Sequence, residues 1–459
     1  MNIGYKNLNG WTKADHDSVF EFADSYKEFL NSGKSEREII VAALEIAKNE
    51  GFVPLSEKAS LTPGDKVYEL NRNKGLMLAV IGKQHLSKGF NLVGAHVDSP
   101  RLDAKQNPLY EDGGIAFMKT HYYGGIKKYQ WTTIPLCLSG LIIKKDGTHI
   151  HVCLGGEDDD FCFTISDLLP HLAGEQMGKT LGNGIEGESL NVIFAGIPFV
   201  EDDKEDVKKA VLILLRDNYG IEEEDFLSAE LEFAPAFKAK DVGLDRSFIG
   251  SYAQDDRVCS YAALQAILGI TIPEKTAICL LVDKEEIGSM GVTGMQSRFF
   301  ENSVAEMINL SGDYSELLLR RAVSNSVCLS ADVCAAYDPN YASAFEKQNT
   351  PFAGCGICIM KYTGARGKSG SSDASAELMS AIVRIMNDAD VCWQTGELGK
   401  VDGGGGGTIA QYTANLDMDT IDAGVPVISM HSPFETVSKL DLYETYRAYT
   451  AFYKSNIER

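Results

Sequence analysis

The stretch TAICLLVDKEEIGS, residues 276–289, carries the pattern that decides the fold. It opens with a near-continuous apolar run, which is typical of a strand in a sheet covered by helices on both faces. The run ends in charged residues, with Glu285 and Glu286 adjacent and Gly288 close behind. Neighbouring carboxylates repel each other. Their position nevertheless indicates function, because ligands of open α/β sheets bind at the carboxyl ends of the strands.

Similar segments lie on both sides of this stretch. Further strands are predicted at GLMLAVIGK (75–83), FNLVGAHVDSPRLD (90–103), SVCLSADV (326–333) and VPVISMHS (425–432). Apolar residues at helical spacing predict two helices within residues 18–52 and another over 257–270. We therefore predict an α/β protein whose mixed central sheet is covered by helices.

The character of the sequence changes between about residue 110 and residue 240. PLCLSGLIIKKDGTHIHVCLGG, residues 135–156, predicts a β-hairpin with an Asp-Gly turn. Acidic patches at 157–160, 201–206 and 222–225 are expected to be solvated loops or helix faces. The predicted organisation is one α/β domain formed by residues 1–110 and 240–459, with a β-rich insert at 111–239.

Composition argues against several classes of protein. The 459 residues carry a formal net charge of -22, which disfavours binding to nucleic acid or to anionic membranes. The chain has no apolar run long enough for a membrane span and no apolar targeting segment at its N-terminus. Its ten cysteines lack a disulfide-framework spacing and are expected to be reduced thiols. A cytoplasmic protein is predicted.

Five segments share one arrangement, an apolar run that ends in a carboxylate or a histidine. These residues are His96 and Asp98, Asp255 and Asp256, Glu285 and Glu286, Asp332, and His431. Each one alone has an ordinary structural explanation, such as a helix N-cap for Asp255 or a buried hydrogen-bonded histidine. At the ends of strands of one sheet they can converge, and so many carboxylates would repel without a cation. Histidine and carboxylate ligands suit one or two catalytic divalent metals.

His96 and Asp98 are two positions apart on a predicted strand, so their side chains face the same side. A carboxylate in that position can fix the tautomer of the imidazole.

Several of these motifs, taken in order, resemble one enzyme family. GAHVDSPRLD (94–103), DKEEIGS (283–289), SADV (330–333), DPNY (338–341) and MHSPFE (430–435) are similar to the zinc aminopeptidases that include aspartyl aminopeptidase and vacuolar aminopeptidase I. The resemblance covers most of the chain and includes the position of the insert. It implies a dizinc exopeptidase fold, an insert that dimerises, and a tetrahedral assembly of twelve subunits.

The resemblance also implies the roles of individual residues. Asp255 would bridge two zinc ions, with His96 and Asp332 completing one site and Glu286 and His431 the other. Glu285 would be the general base, and Asp98 would orient His96. The residues around the bridging aspartate, AQDDR, differ from the usual motif of the family. The position of the following helix favours Asp255 over Asp256 as the bridging residue.

Three weaker candidates complete the predicted site. His171, in a PHL string, resembles a family histidine that binds metal or substrate, sometimes in a neighbouring subunit, although Glu175 stands where relatives can have a second histidine. The glycines of VDGGGGGTIAQY, including Gly405, Gly406 and Gly407, would bring backbone amides to a substrate. Lys361 is a candidate substrate contact.

The predicted function is hydrolysis of the N-terminal peptide bond of peptides with a free N-terminus. Zn²⁺ is expected, two per subunit, with Co²⁺ or Mn²⁺ as alternatives because oxygen-rich sites also accept those ions. A deacylase on the same scaffold and a non-catalytic shell or cargo protein of the same fold are the alternative functions. The sequence leaves the preferred N-terminal residue open.

Overall fold

The computed structural model describes residues 9–199, 206–312 and 314–457. Within these ranges the strands, labelled β1 to β22 in chain order, are Val53–Pro54, Lys66–Asn71, Gly75–Val80, Phe90–His96, Arg101–Asp112, Ile115–Tyr123, Leu136–Ile143, His149–Leu154, Val192–Ala195, Glu230–Pro235, Lys240–Val242, Phe248–Ser251, Thr276–Val282, Val327–Ser330, Cys334–Ala335, Ile357–Met360, Gly364–Ala365, Trp393–Thr395, Gly405–Gly406, Asp419–Gly424, Pro426–Ile428 and Glu435–Ser438.

The α-helices of the same ranges are labelled α1 to α11. They are His16–Asn31, Glu36–Asn49, Gly174–Met177, Leu181–Gly184, Asp206–Tyr219, Gln254–Leu268, Phe299–Leu310, Glu316–Ser324, Ala376–Asp388, Ala410–Asn415 and Lys439–Lys454. None of the helices in the described ranges combines the length and the hydropathy that a membrane span requires.

The described residues form two compact units. The first comprises the residues up to Asp98, Ala239–Met430 and the residues from Glu435 onward. The second comprises Ser99–Lys238 and His431–Phe434.

A sheet of nine strands forms the centre of the first unit, in the order β1-β2-β3-β13-β4-β14-β20-β16-β18. Strand β4 pairs in parallel with both β13 and β14, whereas β3 is antiparallel to β13 and β16 is antiparallel to β20. Along β13, Cys279 and Leu281 pack into a core with α2, α6 and α11, and Ile278 and Leu280 into a core with α7 and α8. Helices therefore cover both faces, which explains the continuous apolar run. The predicted mixed α/β fold is confirmed.

One strand prediction for this sheet is wrong. VPVISMHS does not contribute to the central sheet; β21, Pro426–Ile428, belongs to a five-stranded sheet ordered β11-β12-β22-β21-β15. The central position is taken by β20, Asp419–Gly424, which pairs with both β14 and β16. A search for apolar runs misses β20 because this strand contains two aspartates and a glycine.

The second unit contains an antiparallel sheet of six strands ordered β8-β7-β10-β5-β6-β9. The predicted hairpin is formed by β7 and β8, and Gly147 in its turn has a φ of 84°, which a glycine adopts at little cost. Residues 157–160 are exposed as expected. In the patch at 222–225, Asp225 is instead buried and accepts a hydrogen bond from the backbone N–H of Glu222. Residues 201–205 of the remaining acidic patch lie outside the described residues.

Candidate metal centre

The site begins with the register of three parallel strands. Val282 of β13 lies opposite His96 of β4, and Ser330 of β14 lies opposite Gly94 of the same strand. The carboxyl ends of the three strands therefore meet at one edge of the sheet, which is where α/β sheets bind ligands. The residues that follow them include Asp98, Asp332 and the two adjacent glutamates.

His96 is the centre of the resulting cluster. Its Nε2 atom lies 3.2 Å from Oδ1 of Asp255, 3.8 Å from Oδ1 of Asp332 and 3.9 Å from Oε2 of Glu285. The imidazole is buried. The structure thus brings together four of the residues that the sequence selected, although they are spread over more than two hundred positions.

Asp98 holds both the imidazole and the turn of the two glutamates. The Nδ1 atom of His96 is 3.0 Å from the backbone carbonyl oxygen of Asp98 and 3.4 Å from its Oδ1. Because a carbonyl oxygen can only accept, Nδ1 carries a proton and Nε2 faces the carboxylates. The Asp98 carboxylate accepts hydrogen bonds from the backbone N–H groups of Glu285 and Glu286, at 3.1 and 3.3 Å.

A single 3₁₀ turn, Glu285–Ile287, carries the glutamate pair. Lys284 before it and Gly288 after it both have left-handed backbones, with φ of 68° and 97°. The backbone N–H of Gly288 donates to the carbonyl oxygen of Glu285 at 2.9 Å, and that of Ser289 to Lys284 at 2.7 Å. The glycine allows the chain to reverse immediately after the glutamates.

The aspartate pair is presented by the start of α6. Asp255 and Asp256 are both buried, and the peptide bond between them is cis. The backbone N–H of Asp255 donates to Oε2 of Glu435 at 3.1 Å, and that of His96 donates to Oδ2 of Asp256 at 3.3 Å. Ser260, one turn into α6, donates to the His96 carbonyl oxygen at 2.7 Å. These bonds tie the helix to the end of β4.

Burial and mutual repulsion dominate the electrostatics. Burial raises the pKa of Glu285 to about 8, although His96 lowers it, and Asp332 raises it further. Burial also raises the pKa of Asp332 and, with repulsion from Asp332, that of Asp256. Burial alone would lower the pKa of His96, but its carboxylate contacts raise that pKa well above the usual value. Without a cation the cluster therefore retains protons.

The cluster fits a divalent cation. His96, Asp256 and Asp332 can each place one ligand atom within 4.8 Å of the others, and so can His96, Asp255 and Glu286. Oδ1 of Asp256 is buried and has no hydrogen-bond partner among the residues that the structure describes. One imidazole with several carboxylates is a donor set that zinc, cobalt or manganese accepts.

The other candidates lie elsewhere in the chain. His431 belongs to the second unit, where its Nδ1 atom is 2.8 Å from the carbonyl oxygen of Gly125. His171, also in that unit, is exposed in a turn. Lys361 forms an ion pair with Asp373 at 3.3 Å. Gly405 pairs with Ala365, and Gly406 with Gly364, in a two-stranded sheet. Their functional roles stay predictions.

Sequence reasoning missed one contributor to the cluster's surroundings, Glu435, and ranked another, Asp256, below its neighbour. Glu435 ends the MHSPFE string and contacts the amide of Asp255, which no sequence pattern indicates. The position of the following helix favours Asp255 over Asp256, yet the Asp256 carboxylate lies in one of the two ligand groups. The AQDDR sequence contains both aspartates, and it is the fold that shows both are turned toward His96.

Known proteins resemble this chain over nearly its whole length. The sequence matches the family described as "Aminopeptidase I zinc metalloprotease (M18)" over residues 29–453. A probable M18 family aminopeptidase 1 from Clostridium acetobutylicum is 51% identical over 452 residues, which are 97% of each chain.

Solved structures also resemble this chain over nearly its whole length. The crystal structure of an M18 family aminopeptidase from Thermotoga maritima has a TM-score of 0.95 and 44% identity, covering 98% of this chain and 100% of that chain. The structure of the S. cerevisiae mApe1 dodecamer has a TM-score of 0.77 and 20% identity, covering 96% and 97%, and shows the fold alone. The resemblance predicted from the motifs is confirmed: this chain belongs to the M18 family and is a zinc-dependent aminopeptidase, a metalloexopeptidase.

Proposed function

We propose that the enzyme hydrolyses the N-terminal peptide bond of peptides with a free α-amino group at two divalent cations bound around His96. The observation that carries the proposal is the approach of Nε2 of His96 to within 3.2–3.9 Å of three carboxylates, those of the buried Asp255 and Asp332 and of the half-buried Glu285. Such a cluster is costly unless cations neutralise it. Two overlapping groups of possible ligands support two cations over one.

The proposed ligands follow the family resemblance. Asp255 would be shared, His96 and Asp332 would complete one site, and Glu286 would hold the other. Asp256 is the alternative to Asp255 as the shared carboxylate, because it lies in the ligand group of Asp332. His431 stays a prediction as the remaining ligand. Zinc is the family's metal, and the number of ions and the tolerance for Co²⁺ or Mn²⁺ are proposals.

Glu285 is the proposed general base. A bound divalent cation supplies Lewis-acid activation of the scissile carbonyl group and of the attacking water. Glu285 takes the proton from that water and delivers it to the leaving amine. Its side chain is half-buried, and a pKa of about 8 in the cation-free protein reflects a desolvated environment that favours its protonated form. A group that can hold a proton near neutral pH is suited to both halves of the transfer.

The neighbouring residues would position and restrict the reaction. Asp98 fixes the His96 tautomer that leaves Nε2 directed at the cluster. A substrate's free α-amino group would bind to the carboxylates as an ammonium or to a cation as a neutral amine, which confines cleavage to the first residue. An N-acylated substrate lacks this group, so a deacylase on the same scaffold requires a different mode of binding.

A substrate panel tests the proposal. Purified protein is stripped of metal, reloaded with zinc, manganese or cobalt, and assayed with aminoacyl substrates and their N-acetylated counterparts. We expect turnover of the free-amine compounds only, restored by metal. Turnover of the blocked compounds would favour the deacylase, and the absence of both metal binding and peptidase activity would favour a non-catalytic protein. Acidic, neutral and basic first residues in the panel would define the specificity.

The assembly is also a proposal. Exposed apolar side chains at Leu168, Leu172, Met177 and Leu181 of the second unit support a role for the insert at 111–239 in dimerisation. The S. cerevisiae mApe1 structure is that of a dodecamer, which supports homo-oligomerisation here; the proposal of twelve subunits in a tetrahedral assembly rests on the motif resemblance. Light scattering on the zinc-loaded protein measures the subunit number. A cytoplasmic location stays a prediction.

Three further residue sets would contact substrate. Lys361, the Gly405–Gly407 segment and His171 are proposed to line the substrate path, the last in its own or a neighbouring subunit. Alanine at Lys361 or His171 should raise KM more than it lowers kcat if the residue contacts only substrate.

A further inference from the structure

The carbonyl oxygen of Gly288 receives two side-chain hydrogen bonds. The hydroxyl of Tyr412 donates to it at 3.1 Å, and Nε2 of Gln296 donates at 2.9 Å. Gly288 is the residue that closes the 3₁₀ turn of Glu285 and Glu286, with a φ of 97°. Both donors therefore act on the backbone that carries the proposed base and a proposed ligand.

The two donors come from different parts of the chain. Gln296 belongs to the same loop, and its backbone N–H donates to the carbonyl oxygen of Ser289 at 3.1 Å. Tyr412 is 124 positions away in sequence and stands on α10. Tyr412 is thus the long-range attachment of this turn, whereas Gln296 closes the loop on itself.

The helix that carries Tyr412 is itself fixed. Just before α10, the Thr408 hydroxyl donates to Oδ1 of Asp422 at 2.6 Å, and both residues are buried. Ile409 is buried and packs so closely on Gly94 of β4 that a Cβ atom there would lie 2.9 Å from its Cδ1. Tyr412 is therefore held relative to β20 and to β4, the strand that ends at His96.

On the C-terminal side of the turn, backbone hydrogen bonds from Ser289 to Lys284 and from Gln296 to Ser289 add to the two side-chain donors. Asp98 accepts from the amides of Glu285 and Glu286 and thereby holds its N-terminal side. The flanking Lys284 has a left-handed backbone, with φ of 68°, which a residue other than glycine keeps only when surrounding contacts impose it. Ile287, in the turn itself, is 51% exposed and contributes little packing.

We propose that Tyr412 is a positioning residue of the active site. Through the Gly288 carbonyl it fixes the turn so that Glu285 stays beside His96, with Gln296 as a partly redundant second donor. The inference rests on the proposed role of Glu285, but the contact itself can be tested without activity. Tyr412 also stands shortly after the glycine-rich segment, on the helix that follows it, so it connects the proposed substrate loop to the turn of the base.

The test uses Tyr412→Phe, Gln296→Ala and the double variant of the zinc-loaded enzyme. Tyr412→Phe keeps the ring and removes only the donor. We expect kcat to fall roughly threefold to tenfold with KM changed by less than about twofold. The double variant should lose more than the product of the single effects, because each single variant leaves the carbonyl one donor. Hydrogen exchange of the Gly288 and Ser289 amides should accelerate in parallel, measured on the peptide that spans residues 283–290.

Tyr453→Phe is the matched control. Its hydroxyl also donates to a backbone carbonyl, that of Ile278 at 3.2 Å, in the buried core. We expect this variant to lower the melting temperature while kcat and the exchange of Gly288 and Ser289 remain those of the wild type.

Two outcomes would overturn the inference. One is a double variant with wild-type kcat and wild-type exchange at Gly288 and Ser289. The other is a loss of kcat accompanied by faster exchange throughout the first unit, as in a general loss of stability. If the wild-type enzyme cleaves no free-amine substrate with any metal, the proposed function fails, and the exchange measurement still decides whether Tyr412 holds the turn.

Discussion

Oδ1 of Asp98 accepts a hydrogen bond of 3.1 Å from the backbone N–H of Glu285, which is 187 positions away along the chain. The same Oδ1 atom lies 3.4 Å from Nδ1 of the His96 imidazole. One buried carboxylate therefore fixes the orientation of the central ligand and the place of the proposed base relative to it. A single substitution at Asp98 would therefore weaken its contact with His96 and its hydrogen bonds to the glutamate turn together.

Asp98→Asn should weaken zinc binding. An asparagine can accept through Oδ1 but presents an N–H₂ group where the carboxylate now accepts from Glu286. We expect zinc affinity, measured by competition with a chromophoric chelator, to fall roughly 10–100-fold. The matched control is Asp338→Asn, which alters a partly exposed carboxylate that caps a 3₁₀ helix. Equal zinc affinity in both variants would rule out the positioning role of Asp98.

Glu286→Gln should lose metal. The Glu286 carboxylate belongs to the ligand group of His96 and Asp255, and a neutral amide is a much weaker ligand for zinc. We expect at most one zinc per subunit by elemental analysis, with activity recovered only at high added metal. A variant that binds two ions and turns over normally would contradict its assignment as a ligand.

Zinc affinity should rise with pH. The pKa of Glu285 is raised to about 8 and that of His96 well above its usual value, so the cation-free cluster holds protons at neutral pH. Binding must displace them, and each proton released steepens the affinity by about tenfold per pH unit. Calorimetry in buffers of different ionisation enthalpy counts these protons directly. An affinity that is flat between about pH 6 and pH 8 would show that the cluster is already ionised without a cation.

Asp241→Asn should destabilise the first unit. Burial would raise the pKa of Asp241, but Lys27, Lys439 and Arg246 hold it well below the usual range. The fully buried Lys439 lies 2.8 Å from this carboxylate, and removing one partner of a buried ion pair costs about 3–5 kcal/mol.

The lowered pKa of Asp241 determines how its contribution to stability changes with pH. Because the folded-state pKa of Asp241 is lowered, its contribution is present above the unfolded pKa of about 4 and is lost as the pH falls toward the folded value. The difference in melting temperature between wild type and Asp241→Asn should therefore be large at neutral pH and shrink in acid. Asp245→Asn, at an exposed neighbouring carboxylate, is the control and should melt as the wild type does. A constant difference at all pH values would refute the ion-pair explanation.

The sequence predicted the parts of the site that follow apolar strands. The runs before Glu285 and Asp332, and the strand that ends at His96, are visible because both faces of their strands are buried in helix-covered cores. The central strand β20 could not be recognised because buried Asp422 interrupts its apolar character, and only the fold reveals the Thr408 hydroxyl that satisfies it.

Contacts between distant segments account for the rest. The link from Glu435 to the amide of Asp255 spans 180 positions, and that from Tyr412 to Gly288 spans 124. Neither residue has a periodicity or a motif that marks such a contact, since it depends on how α10 and the five-stranded sheet are placed around β4. The apolar run at 425–432 shows the same limit, because hydrophobicity predicts a strand without assigning it to a sheet.

The role of Glu285 is the central claim, and Glu285→Gln tests it most directly. The substitution keeps the shape of the side chain and removes its ability to accept and return a proton. With zinc content verified in the same sample, we expect a normal metal load and a kcat lowered by at least ~10² on a free-amine aminoacyl substrate. A fully loaded variant with near-normal kcat would contradict the assignment of Glu285 as the general base.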